Sequence, residues 1–215
     1  FVQIWMHTGA LLVEGKKMSK SLGNFITVED YLQKYSPQVL RLLVLKHQYR
    51  SPIDYSDKLS LEVTNEWSNL LQFLSKLNLV KKFNKKNSVS KNIASLISKA
   101  DLAFYEAMQD DFNTPKALSS LHLIINELQK RVYSLTTKEA KLINSTLTKN
   151  LNLIGLVVKL PKIPIKIINL SKKRELIRSN KQFIKADGLR KEMNTLGYTV
   201  EDTPLGSFLW PQETS

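Results

Sequence analysis

The chain of 215 residues contains no cysteine, which removes disulfides and thiolate metal centres together. A reducing, cytoplasmic setting is the expectation that follows. Glycine and proline are scarce, with seven of each, too few for a collagen-like or loop-dominated chain. No apolar run approaches the ~20 residues of a membrane-spanning helix, so no membrane partner is expected. The opening residues, Phe1-Val2-Gln3-Ile4-Trp5-Met6, lack an initiator methionine, a basic leader and a cleavage-site pattern. Such a beginning reads as the middle of a strand in a larger protein. Acids are missing over two long stretches: residues 67–100 hold seven lysines and residues 140–174 hold eight basic residues. Those fifteen cations exceed the whole net charge of +13. Concentrated positive charge suits a polyanion, whose binding releases counterions. Lysines decorating solvated helix faces would produce the same composition, so charge alone does not choose between the two.

A hydrophobic content of 42% is that of a globular chain able to bury a core. Short apolar stretches at residues 1–6 and 10–13, broken by Gly9 and Gly15, predict strand, turn, strand. Thr27 with Asp30 is close to a capping box, and Ser36-Pro37 starts a second helix that buries Val39, Leu40, Leu43 and Val44. An extended connector leads to Ser56, a cap for a long helix over residues 57–80 with Val63, Trp67, Leu70, Leu74 and Leu77 on one stripe. A second bundle helix is marked by Ile93, Ile97, Ala100 and Phe104. Thr114 as cap and Pro115 open a third, and Thr136 with Glu139 a capping box for a fourth, closed by Gly155. Prolines at 161 and 164 forbid a continuous helix over residues 156–168, which reads as a linker. A helix pair near residues 171–179 and 182–196, a strand over residues 198–202 and a turn over residues 203–206 complete the chain.

Lys17-Met18-Ser19-Lys20-Ser21, followed by Leu22-Gly23-Asn24, carries the most specific chemistry. Two ammonium groups on a short loop suit a triphosphate, because charge builds on phosphoryl oxygens as pyrophosphate leaves. Small serines and Gly23 let backbone approach phosphate. The segment resembles the second signature of class I aminoacyl-tRNA synthetases. His7 after Trp5-Met6 could touch substrate, but a structural histidine is the commoner fate, as for His47 and His122.

Over essentially its whole length the chain resembles cysteinyl-tRNA synthetases. Four stretches carry the likeness: Trp5-Met6-His7-Thr8-Gly9 with the signature loop; Tyr49-Arg50-Ser51-Pro52 with Tyr55-Ser56; Asp110-Asp111-Phe112-Asn113-Thr114-Pro115; and a tail with Arg174, Arg178, Phe183, Ala186, Asp187, Arg190, Leu196-Gly197 and Glu201-Asp202-Thr203-Pro204. The resemblance implies a mostly α chain in three parts. These are the end of a class I nucleotide-binding α/β catalytic domain (1–56), an antiparallel helical bundle that binds tRNA (57–158), and a small α+β anticodon-binding domain with its linker (159–215). It implies ATP, taken with Mg2+, contacted by Lys20 with Lys17, Ser19 and Ser21. It further implies that the anticodon of tRNA(Cys) is read by Arg178, Asp187 and Asp202 with Phe183. Arg174, four residues before Arg178, shares its helix face and joins the set. Phe183 stands where the family usually has tryptophan, and Gly206-Ser207-Phe208-Leu209-Trp210 replaces the family's usual Gly-Thr-Thr-Trp-Arg.

The family's zinc, which binds the substrate thiolate, is held by two Cys, a His and a Glu that precede this region, as does the first class I signature. The chain by itself is therefore expected neither to hold zinc nor to activate cysteine; with the missing half it belongs to a monomeric ligase of cysteine to tRNA(Cys). A free-standing tRNA-binding protein, or one half of a split synthetase, is the alternative, against which the retained lysine pair counts. Ligases joining cysteine to a sugar amine share the loop but lack the tail.

Overall fold

The computed structural model describes residues 1–84 and 87–212. Two lysines of the first acid-free stretch, Lys85 and Lys86, and the last three residues of the expected anticodon domain lie outside them. Strand β1 (Leu11–Val13) pairs antiparallel with β2 (Lys16–Lys17) and parallel with β3 (Ile53–Tyr55), giving the order β2-β1-β3. Between β2 and β3 lie α1 (Val28–Lys34) and α2 (Pro37–Leu45). Thr27 and Asp30 form the full reciprocal capping box. The apolar residues 1–6 form no strand and are exposed, contrary to the sequence expectation. No neighbouring strand among the described residues accepts them, and an isolated strand leaves its ladder groups unpaired.

The bundle consists of α3 (Asp57–Phe83), α4 (Lys91–Gln109), α5 (Thr114–Leu128) and α6 (Thr137–Leu153), with a short 3-10 segment, Gln129–Ser134, before α6. Its core joins Val63, Leu74, Leu77, Phe104, Leu121, Ile124, Ile143 and Leu147, each at most 1% exposed. Helix α2 enters the same core through Val39, Leu42 and Leu43. Leu42 takes the place expected of Leu40 and Val44, since Val44 is exposed. The cap of α5 is Asn113, not Thr114: its side chain accepts from the Lys116 N–H at 3.2 Å. Asp111 and Phe112 just before it adopt left-handed φ of 52° and 51°. The capping box of Thr136 and Glu139 is complete, and Gly155 ends the bundle at φ 77°.

Helix α7 runs over Ile165–Ser179, starting immediately after Pro164 and well ahead of the expected residue 171. Proline supplies a fixed φ but no N–H, so it can precede a helix that it could not interrupt. Helix α8 (Phe183–Thr195) returns, and β4 (Tyr198–Thr203) pairs antiparallel with β5 (Gly206–Pro211), a strand not foreseen beyond the turn. The register places Glu201 opposite Phe208 and Thr199 opposite Trp210, with Val200 opposite Leu209. Because strand side chains alternate, the hairpin has two differently occupied faces. Val200 and Leu209 pack with Ile167 and Met193 of α7 and α8 in a second, small core. On the opposite face, Phe208 lies against Lys76 of α3, and Thr199 and Trp210 line a groove with Asn65, Asn69 and Gln72 of the same helix.

Candidate functional site

The signature loop is fixed at its base and free at its cations. The Met18 N–H donates to the Leu11 carbonyl at 3.0 Å, and the Met18 side chain lines an apolar pocket with Ile26, Val28, Tyr31, Leu43 and Ile53. The Asn24 side chain closes the loop: its Oδ1 accepts from the Ser19 N–H at 2.9 Å, and its Nδ2 donates to the Lys17 carbonyl at 3.4 Å. One turn of 3-10 helix, Lys20–Leu22, ends at Gly23 with φ 66°, a conformation that favours glycine. The hydroxyls of Ser19 and Ser21 lie 3.2 Å apart. Lys17 and Lys20 are both exposed, and the Lys20 ammonium stands 5.5 Å over the Phe25 ring. Two cations thus project from a backbone held by one amide side chain and one half-buried thioether. The sequence reading saw the lysines and serines but not the roles of Met18 and Asn24.

A chain of hydrogen bonds ties this loop to the bundle. The Ile53 N–H donates to the Ala10 carbonyl at 3.0 Å, and the Gly9 N–H to the Tyr49 carbonyl at 2.8 Å. A Cβ on Gly9 would meet the Ser51 carbonyl oxygen at 2.1 Å, so only glycine fits there. The connector then docks on the α4–α5 corner. The Tyr49 hydroxyl donates to Asp111 Oδ1 at 2.8 Å, and Arg50 Nε lies 2.9 Å from Asp111 Oδ2. The hydrogen bonds of Arg50 and Tyr49 hold the Asp111 carboxyl below its ordinary pKa. This contact joins two of the motifs that carry the family likeness.

In the tail, the expected residues divide sharply by exposure. Arg174 is 0% exposed and grips Asp202 with both ends of its fork, Nη1 to Oδ1 at 2.6 Å and Nη2 to Oδ2 at 2.9 Å. Arg178, one turn on, donates from Nη1 to the same Oδ2 at 2.5 Å and is part-exposed. The Arg174 hydrogen bonds hold the Asp202 carboxyl below its ordinary pKa, with Arg178 and Arg190 adding to the effect. Phe183 opens α8 with 57% of its surface exposed, next to the still more exposed Ile184. Asp187 lies exposed a turn further along the same helix. The structure therefore brings Arg174, Arg178 and Asp202 into one cluster, with Arg174 behind the others and out of reach of solvent. A signal for its burial existed: residue 174 continues the inward stripe of Ile167, Leu170 and Ser171 on α7.

The histidines fall as structural groups where they have partners. His47 Nδ1 lies 2.9 Å from the Leu43 carbonyl at the end of α2, and His122 Nε2 lies 2.9 Å from Glu66 Oε1. His7 is exposed. Among the described residues no three His, Cys, Asp or Glu side chains are grouped to hold a metal ion. The described residues thus do not fit a zinc site. Among the described residues no helix is long and apolar enough to cross a membrane.

Comparison with known proteins places this geometry. The family model for tRNA synthetases class I (C) catalytic domain matches residues 1–65, and that of the DALR domain matches residues 103–159. Over 69% of its length the chain is similar in fold to 20% of the LeuRS chain of Agrobacterium radiobacter, solved as a ternary complex with tRNA and LeuAMS (TM-score 0.54, 20% identity). Signature loop, short mixed sheet and following helical bundle together resemble those of class I aminoacyl-tRNA synthetases. The cysteine–tRNA ligase of Persephonella marina is 36% identical across 96% of this chain and 48% of its own length. Those of Thermococcus onnurineus and Oenococcus oeni are 34% and 37% identical, across 98% and 96% of this chain. Over nearly its whole length the chain is similar to cysteinyl-tRNA synthetases, and it spans about half the length of the curated relatives it matches.

Proposed function

We propose that this chain supplies two parts of a cysteine–tRNA ligase: the loop that closes on ATP while cysteine is activated, and the surface that recognises tRNA(Cys). In activation the cysteine carboxylate attacks the α-phosphorus of ATP, the bond to the bridging oxygen breaks, and pyrophosphate leaves. Charge then grows on the non-bridging and leaving oxygens, where fixed ammonium groups lower the barrier. Lys17 and Lys20 are those groups, and Ser19 and Ser21 offer hydroxyl donors beside them. The observation that carries the reading is the loop itself, with two exposed cations on a backbone tied at Met18 and Asn24. Residues 1–56, 57–158 and 159–215 serve as nucleotide, bundle and anticodon segments.

At the tail, Arg178 offers free N–H groups for a base edge or phosphate, and Phe183 offers a stacking face for an unpaired base. Asp187 and Asp202 supply acceptors for base amino groups. Arg174 acts through Asp202, as a positioning residue.

The test uses the full-length protein. Lys20→Ala is expected to slow cysteine-dependent ATP–pyrophosphate exchange by roughly 100-fold or more while leaving tRNA affinity nearly unchanged. A large loss of tRNA binding instead would contradict the assignment. Arg178→Ala is expected to shrink the affinity ratio between tRNA(Cys) and transcripts with altered anticodons by about 10-fold or more. An unchanged ratio would remove Arg178 from the reading surface.

A further inference from the structure

The two acid-free stretches of the sequence meet at one end of the bundle. The last turn of α3 carries Lys81 and Lys82, α4 begins at Lys91, and the first turns of α6 carry Lys138 and Lys141. Hydrogen bonds tie these helix ends together. Asn84 Nδ2 donates to the Leu135 carbonyl at 2.7 Å, and the Ser90 N–H donates to Glu139 Oε1 at 2.9 Å. The Thr137 hydroxyl donates to the Asn84 carbonyl. Glu139, the acid amid these lysines, is buried and occupied by the N–H groups of Ser90 and Thr136. None of the five lysines forms an ion pair with an acid among the described residues.

Folding gives this arrangement little support. Lys91 and Lys138 occupy first turns, where the helix N-terminus already carries partial positive charge, so each works against its own helix. Lys81 is part-buried, and that burial together with nearby Lys141 holds its ammonium below its ordinary pKa. Cations crowded at a cost to the fold are relieved by a bound anion.

The position of the cluster indicates which anion. The β4–β5 hairpin runs along α3, with Thr199 and Trp210 beside Asn65 and Gln72, and Glu201 2.7 Å from Lys76. Its tip, carrying Asp202 at the end gripped by Arg174 and Arg178, therefore points along α3 toward Lys81, five residues and about 7.5 Å beyond Lys76. We propose that Lys81, Lys82, Lys91, Lys138 and Lys141 seat the phosphodiester backbone of the stem next to the unpaired bases that Arg178 and Asp202 read. The proposal rests on the tail's reading of an RNA; the lysines supply sequence-independent grip and the tail supplies discrimination.

The experiment measures binding of the full-length protein to a tRNA(Cys) transcript across a KCl series. Lys81→Gln/Lys82→Gln/Lys141→Gln is expected to flatten the log–log salt slope by about 2, near 0.7–0.9 per lost phosphate contact. The affinity ratio for altered anticodons is expected to stay unchanged, and the triple Lys→Arg variant to keep the wild-type slope. Lys82→Gln/Lys141→Gln, which spares part-buried Lys81, guards against misfolding and is expected to flatten the slope by roughly half to two-thirds as much. An unchanged slope in these variants, with melting intact, overturns the proposal. So does lysine-dependent binding to phosphatidylserine vesicles with the RNA slope unmoved. If Arg178→Ala keeps the anticodon ratio while the lysine variants flatten the slope, the reading of Arg178 fails and the backbone seat stands.

Discussion

Arg174 and Asp202 are unequal partners, and the inequality is measurable. Asp202→Asn leaves a fully buried guanidinium without its carboxylate, which is expected to cost about 3–5 kcal/mol. Arg174→Met leaves a carboxylate that keeps 43% of its side-chain surface in solvent and can rehydrate, for a smaller loss of about 1–3 kcal/mol. Urea unfolding followed through the Trp210 region distinguishes the two. The pH dependence follows from the direction of the Asp202 shift. Its folded pKa is depressed below the unfolded value, so its contribution is fully present above about pH 4 and is lost as pH falls through the folded pKa. Acid titration is therefore expected to loosen the wild-type tail below about pH 4, and Asp202→Asn, already weaker at neutrality, is expected to show a flatter decline there.

Elements tell how far local chemistry reaches. Asn24→Ala removes both hydrogen bonds by which its side chain closes the signature loop, while leaving the Met18 anchor and both lysines in place. On the role proposed for this loop, adenylate formation by the full-length protein is expected to fall on the order of 10- to 100-fold, because mispositioned cations stabilise the transition state less; single-turnover kinetics with saturating ATP reads it. Thr136→Ala removes the capping box of α6 and its hydroxyl bond to the Ser88 carbonyl, at a cost of about 1–2 kcal/mol in a denaturant melt. Such caps were legible in sequence, as were the bundle helices, since serine or threonine at an N-cap and a 3.6-residue stripe are local signals. What escaped the sequence was non-local. Strand β5 exists because β4 supplies its ladder, and residues 1–6, with strand-like composition, find no ladder among the described residues. The signature lysines were evident from spacing, whereas the clamp by Asn24 depends on a loop closed in space. Arg174 was drawn to the site by its spacing from Arg178, and the stripe of Ile167, Leu170 and Ser171 that marks it as inward is seen only once the helix is known to begin at Ile165.

At the scale of the molecule, the tail is fastened to the bundle by a small latch. Lys76 of α3 lies 2.7 Å from Glu201 Oε2, the Tyr133 hydroxyl donates to Glu201 Oε1 at 3.0 Å, and the Lys76 ammonium sits 5.1 Å over the Phe208 ring. Burial and the neighbouring Glu201 carboxylate push the Tyr133 pKa far up, so the phenol stays a donor at any physiological pH. Glu201→Gln is expected to weaken docking by about 1–2 kcal/mol, seen as faster hydrogen exchange in α7, α8 and the hairpin with α4 and α5 unchanged. The whole assembly is strung on α3, whose 27 residues span about 40 Å without an interruption. Its start follows the strand that pairs beside the signature loop, and its end carries the lysine cluster. The helix thus behaves as a caliper bar whose two jaws are the signature loop and the tail hairpin. Inserting one residue would lengthen that bar by only about 1.5 Å but swing the far jaw by about 100°, so the gauge is set in whole turns rather than in residues.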